Sequence, residues 1–129
     1  MAKGRGSASW SARAVVPLVL VSVLVLQADY VRAATYTVGE SNVWAFNAVG
    51  WPKGKHFKAN DVLVFNYNPR FHNVVAVDSA GYNNCKTPAR ARTYTSGKDR
   101  ITLSKGQNFF ICNFPGHCES AMKIAVTAV

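Results

Sequence analysis

From about residue 34 onward the sequence predicts an all-β domain, an antiparallel β-sandwich. Three observations predict it. Apolar residues fall in short runs with a period of two, the runs are separated by clusters of Gly, Pro, Asn and Asp, and no window sustains the 3.6-residue period of a long amphipathic helix. The first run is 36–38, followed by a turn signal at Ser41-Asn42 and another at Gly50-Trp51-Pro52-Lys53-Gly54. The next is 61–67, in which Leu63, Phe65 and Tyr67 share one face and Val62, Val64 and Asn66 the other. Asn68-Pro69 ends it, and 73–77 reads as a further strand. Residues 79–94 are the least regular, with room for one or two short helical turns. Ser96-Gly97-Lys98-Asp99 leads into a strand at 100–103, and Ser104-Lys105-Gly106 into one at 108–112. The last strand is 122–128, with Ile124, Val126 and Ala128 on one face. Trp44, Phe46, Phe57 and Phe109 are expected in the core, because a sandwich this small needs large side chains between its sheets.

Residues 1–33 read as a secretory leader rather than as part of the fold. Lys3, Arg5 and Arg13 give a basic start, 14–26 is an apolar stretch of thirteen residues, and Val31-Arg32-Ala33 offers small residues for cleavage. A bilayer span takes about 20 residues, so the stretch is too short for an anchor. The expected division is a leader at 1–33 and one domain at 34–129, secreted to the outside of the cell. The chain ends directly on its last strand-like run, without the spacer and apolar tail of a lipid-anchor signal, and 34–129 holds no Asn-x-Ser/Thr sequon. No stable membrane insertion is expected.

Removing the leader leaves eleven basic against five acidic residues, a net charge of +6. Such a surface favours an acidic redox protein, an anionic membrane face or a cell-wall polysaccharide as partner. Nucleic acid is a poor fit, since Lys53, Lys55, Lys58, Arg90, Arg92, Lys98, Arg100 and Lys105 are scattered among turns instead of arrayed on one element.

The chemistry concentrates in Cys112-Asn113-Phe114-Pro115-Gly116-His117-Cys118-Glu119-Ser120-Ala121-Met122. It sets out a thiolate, an imidazole and a thioether at even spacing. A type 1 copper site takes two imidazoles and one thiolate in a plane with a weak axial Met, so a second histidine is required, and His72 in Asn68-Pro69-Arg70-Phe71-His72-Asn73 is the candidate. A strand ending at Cys112 delivers the thiolate, the turn through Phe114-Pro115-Gly116 returns His117 beside it, and Met122 opens the last strand. Asn73 is placed to hydrogen-bond near the site or to the Cys112 sulfur. Three cysteines, Cys85, Cys112 and Cys118, allow three pairings. If Cys112 is kept for a metal, Cys85 and Cys118 are left to pair, which would brace the loop that carries His117. Zinc fits the set poorly, because Met is a weak zinc ligand and no Cys-x-x-Cys pair occurs. A Cys112/His117 nucleophile pair lacks a third group to orient it, and His56 has no partner spacing.

These residues resemble those of the plantacyanins, the basic blue proteins of the phytocyanin branch of the cupredoxins. The resemblance runs through Tyr36-Thr37-Val38-Gly39, Trp44, the 61–67 strand, Phe71-His72-Asn73-Val74, the Cys85 region, and residues 110–118 and 122–126. It implies a Greek-key cupredoxin-like sandwich, a monomer holding one type 1 copper at His72, Cys112, His117 and Met122, and a Cys85–Cys118 disulfide. It further implies an electron carrier and not an enzyme, with His117 nearest solvent inside an apolar rim of Phe114 and Pro115. Met122 differs from the axial Gln of the stellacyanin branch. Relatives of this kind have also been linked to plant reproductive and cell-wall signalling, so an extracellular guidance protein with structural or incidental copper is the rival expectation.

Overall fold

The computed structural model describes residues 32–129, of which Ala33–Val129 form one unit. The expected leader, save its last two residues, lies outside the described residues. Seven strands build two sheets: β1 (Thr35–Thr37), β2 (Val62–Asn66) and β5 (Lys98–Thr102) form one in the order β1-β2-β5. The other is β4-β3-β6-β7, from β3 (Val74–Val77), β4 (Arg92–Tyr94), β6 (Gly106–Ile111) and β7 (Lys123–Ala128). All pairings are antiparallel except β1 with β2, which run parallel. The irregular stretch resolves into one short helix, α1 (Ser79–Asn84), and the strand β4, which the sequence pattern hides because its residues are mostly exposed. α1 starts at Asp78, whose carboxylate accepts from the Gly81 amide at 2.7 Å, an ordinary N-cap.

The alternation expected of β2 places Leu63, Phe65 and Tyr67 inward. They meet Val74, Phe110, Ile124 and Val126 of the facing sheet in one apolar cluster. Trp44 is fully buried there, edge-on to Phe65 at 5.1 Å, and its indole N–H donates to the Asn73 carbonyl at 3.0 Å. The turn that delivers Trp44 needs Gly39, whose φ is +98° and where a Cβ would sit 1.9 Å from the Val43 carbonyl oxygen. Phe57 is buried as expected, but Phe46 and Phe109 are not core residues. Phe109 lies on the outer face of its sheet beneath Tyr82 of α1, at 5.4 Å. Phe46 is 47% exposed, because the loop turns at Asn47 (φ +63°) and the alternation that buried Trp44 ends there.

Among the described residues the buried polar side chains are Asp61, Asn73 and Asp99, and each is hydrogen-bonded. Asp61 accepts from the amides of Ala34 and Lys58, both at 2.8 Å, which fixes where the chain enters β1. Asp99 accepts from the Ser96 hydroxyl at 2.6 Å and from the Tyr67 hydroxyl. Burial and that bond to Asp99 hold the Tyr67 phenol well above the ordinary phenol range.

Replacing Trp44 with Phe removes the indole donor and leaves the Asn73 carbonyl unpaired in the core. A loss of about 2–4 kcal/mol in urea unfolding is expected.

Candidate metal centre

The sheet register brings the site together. Val75 pairs with Ile111 and Ile111 with Lys123, so the start of β3, the end of β6 and the start of β7 lie side by side at one end of the sandwich. The residues just beyond those ends are His72, Cys112 and Met122. The Cys112 amide donates to the Met122 carbonyl at 3.0 Å and the Met122 amide to the His117 carbonyl at 3.1 Å, which folds the 112–122 segment back on itself.

The donor atoms of His72, Cys112 and His117 all lie within 4.8 Å of one another. His72 Nδ1 faces His117 Nδ1 at 3.1 Å, and Cys112 Sγ lies 3.5 Å from His117 Nδ1. Three lone pairs of soft and borderline donors converging on one point suit a metal ion of the copper type. Cys112 is fully buried and is the free cysteine of the described residues, and Met122 is fully buried in the same cluster. Burial raises the Cys112 thiol above its usual range, and the backbone amides of Asn73 and Phe114 beside its sulfur offset only part of that rise. Burial, and then the neighbouring His117, hold His72 below the usual imidazole range. A metal ion takes the unprotonated imidazole, so the direction of this shift favours metal binding.

Asn73 ties the two halves of the site. Its side chain accepts from the Asn113 amide at 3.0 Å and donates to the Asn113 side-chain oxygen at 2.6 Å, and Asn113 in turn donates to Thr87 Oγ1 at 3.0 Å. The loops that carry His72 and Cys112 are thereby joined. On the other side, the Cys85–Cys118 disulfide is formed, with Cα atoms 5.6 Å apart, and fixes the residue after His117 to the end of α1. Of the remaining residues considered, His56 is exposed and stands apart from the cluster.

Two aromatic rings finish the site. Phe114 stacks on His117 at 5.6 Å, and Phe46 packs edge-on against His117 at 4.8 Å and His72 at 5.6 Å. Sequence periodicity alone misses this role for Phe46, as it misses Asn113 and Thr87, whose contacts cross from one loop to another.

A plastocyanin-like domain model matches residues 36–122. The chain is 83% identical over its whole length, and the whole length of the relative, to the basic blue protein of Arabidopsis thaliana. It is 51% identical to chemocyanin of Lilium longiflorum, with 99% of each chain covered. Among solved structures it superimposes on cucumber basic protein, a blue copper protein, with a TM-score of 0.73 and 61% identity, covering 74% of this chain and all of that one.

The disulfide spans 33 residues of sequence, so its removal frees a long loop in the unfolded chain. Replacing Cys85 and Cys118 together by Ala is expected to cost about 3–4 kcal/mol in urea unfolding, with the thiol count unchanged at Cys112 alone.

Proposed function

The chain belongs to the basic blue proteins, the plantacyanin group of plastocyanin-like domains, and from that premise we propose that it binds one copper ion through His72, Cys112, His117 and Met122 and carries single electrons outside the cell. The observation that carries this reading is the convergence of the His72, Cys112 and His117 donor atoms within 4.8 Å, beside a fully buried methionine. Copper held there would accept and release one electron between its Cu(II) and Cu(I) states.

The protein's own groups do the rest. The amides of Asn73 and Phe114 give the Cys112 sulfur a fixed place for the charge of a thiolate. Phe46 and Phe114 restrain the imidazoles and limit the water that reaches them. Ligands set by two strands, a disulfide and an asparagine bridge have little freedom to shift when the charge of the site changes, which keeps the barrier to electron transfer low. Half-buried His117, rimmed by Phe114 and exposed Pro115, is the port through which the electron passes. With four side chains serving as ligands, the site would leave no open coordination position for a substrate, which suits a carrier and not a metal-dependent hydrolase.

The working domain in this reading is 34–129, released from a secretory leader at 1–33. Support comes from the solved cucumber protein, which aligns over its full length with 74% of this chain. The basic domain would act as a monomer and meet an acidic redox protein or an anionic cell-wall surface, with neither nucleic acid nor membrane insertion involved. A second reading, an extracellular guidance protein with structural copper, draws on Phe46 and Phe71, which are 47% and 59% exposed and form apolar surface that a recognition partner would also cover.

Titration of the folded protein with Cu(II) is expected to give an intense blue band saturating at one copper per chain, and the metal-free form one free thiol. Cys112→Ser should abolish both the band and biological activity while the fold survives. Activity persisting in the folded, colourless variant would favour the guidance reading. Met122→Gln should stay blue with a lower reduction potential by voltammetry, and an unchanged potential would remove Met122 from the ligand set.

A further inference from the structure

β7 is an edge strand of its sheet, and its outer side is open over a defined length. The bond from the Cys112 amide to the Met122 carbonyl shows that Met122 turns its backbone toward β6. By the alternation of an antiparallel pair, Ile124, Val126 and Ala128 do the same, whereas Lys123, Ala125 and Thr127 turn theirs outward. At both ends the outward groups are used. The Ala121 carbonyl accepts from the Val49 amide at 3.3 Å, while Val129 donates to Phe57 at 3.1 Å and accepts from Ala59 at 3.0 Å. Just inside the second tie the Thr127 carbonyl is taken by the Phe57 amide in a parallel bridge, which leaves the outward N–H and C=O groups of Lys123 and Ala125 and the N–H of Thr127 without a backbone partner among the described residues.

A trough of about 390 Å³ lies along this opening, between residues 125–127 and the 49–57 loop. Its charge is of one sign. Lys53 and Lys55 line its loop side, Lys123 of the strand stands at its margin against the lining residue Tyr82, and no carboxylate lines it. Two of these ammonium groups are held in place in the same manner. Lys55 Nζ donates to the Trp51 carbonyl at 3.0 Å and lies 5.1 Å above the Trp51 ring. Lys123 Nζ donates to the Tyr82 carbonyl at 3.0 Å and lies 4.4 Å above the Tyr82 ring. Each keeps donors free for an incoming anion, with part of its side-chain entropy already lost.

We infer that the open edge of β7 is a docking strip for an extended acidic segment of a partner protein, which adds as a further strand beside residues 123–127 and sets its carboxylates against Lys53, Lys55 and Lys123. The alternating outward donors and acceptors match a polypeptide backbone, and the lysines select its side chains. A second copy of this chain is disfavoured, since pairing two β7 edges would bring two sets of these lysines together. The inference is independent of the copper reading.

The probe is a capped hexapeptide alternating Asp and Val, titrated into isotope-labelled protein with any copper held as Cu(I). Amide shifts and slowed hydrogen exchange at Ala125 and Thr127 are expected, with binding weakened at least about tenfold by Lys53→Glu with Lys55→Glu. N-methylating alternate amides of the peptide should weaken binding by a similar factor without touching the protein. No response of these amides at millimolar peptide would overturn the proposal. Equal binding of the N-methylated peptide, or of a galacturonate hexamer, would also overturn it by showing that charge alone is recognised. A dimer that already protects the edge in the free protein would overturn it in favour of self-pairing.

Discussion

The hydrogen bonds of one buried residue, Asn73, join scaffold and site. Its carbonyl takes the indole of the fully buried Trp44, its amide reaches the Cys112 sulfur, and its side chain bonds Asn113 on the neighbouring loop. The three contacts use donors and acceptors that burial would otherwise leave unpaired, and an orphaned group of this kind costs about 1–3 kcal/mol. The core therefore cannot pack in its observed arrangement without also setting the distance between the loops that hold His72 and Cys112. A network that is complete in this way is rigid because every alternative leaves something unsatisfied.

Much of this was legible in the sequence, and what was not has identifiable causes. The β2 alternation and the punctuation by Gly, Pro and Asn located most strands to within two residues, since burial on one face of a strand writes itself as a period of two. β4 escaped because its residues are largely exposed and carry no such pattern. The four candidate ligands stood out through chemistry and spacing, three of them within one short segment. Phe46 was misplaced for the opposite reason. Its size suits the core of a small sandwich, but the left-handed turn at Asn47 redirects the chain, and the ring finds its contacts on the imidazoles. Asn113 and Thr87 could not be singled out, because nothing in a one-dimensional sequence marks two polar loop residues as neighbours.

The placement of charge follows the same division between rigid and exposed parts. The interior carboxylates, Asp61 and Asp99, serve the backbone and a tyrosine, so few of the five acidic residues of 34–129 remain to offset the lysines and arginines outside. Some of those cations are pinned over aromatic rings, Lys55 over Trp51, Arg92 over Tyr94 and Lys123 over Tyr82. Such contacts orient charge at an exposed surface where a free lysine would spread it over many rotamers.

The bond between the Ala34 amide and buried Asp61 would take on a second meaning if the proposed leader is removed. In the uncut chain that nitrogen is a neutral peptide N–H. A cut between Ala33 and Ala34 would turn it into an ammonium group while leaving it beside the carboxylate it already contacts, so a hydrogen bond becomes an ion pair. A cut one residue to either side would put the new charge elsewhere. Under the proposed removal of 1–33, the Asp61 carboxylate would favour a chain that begins at Ala34, because only there would the new terminal charge meet a buried partner.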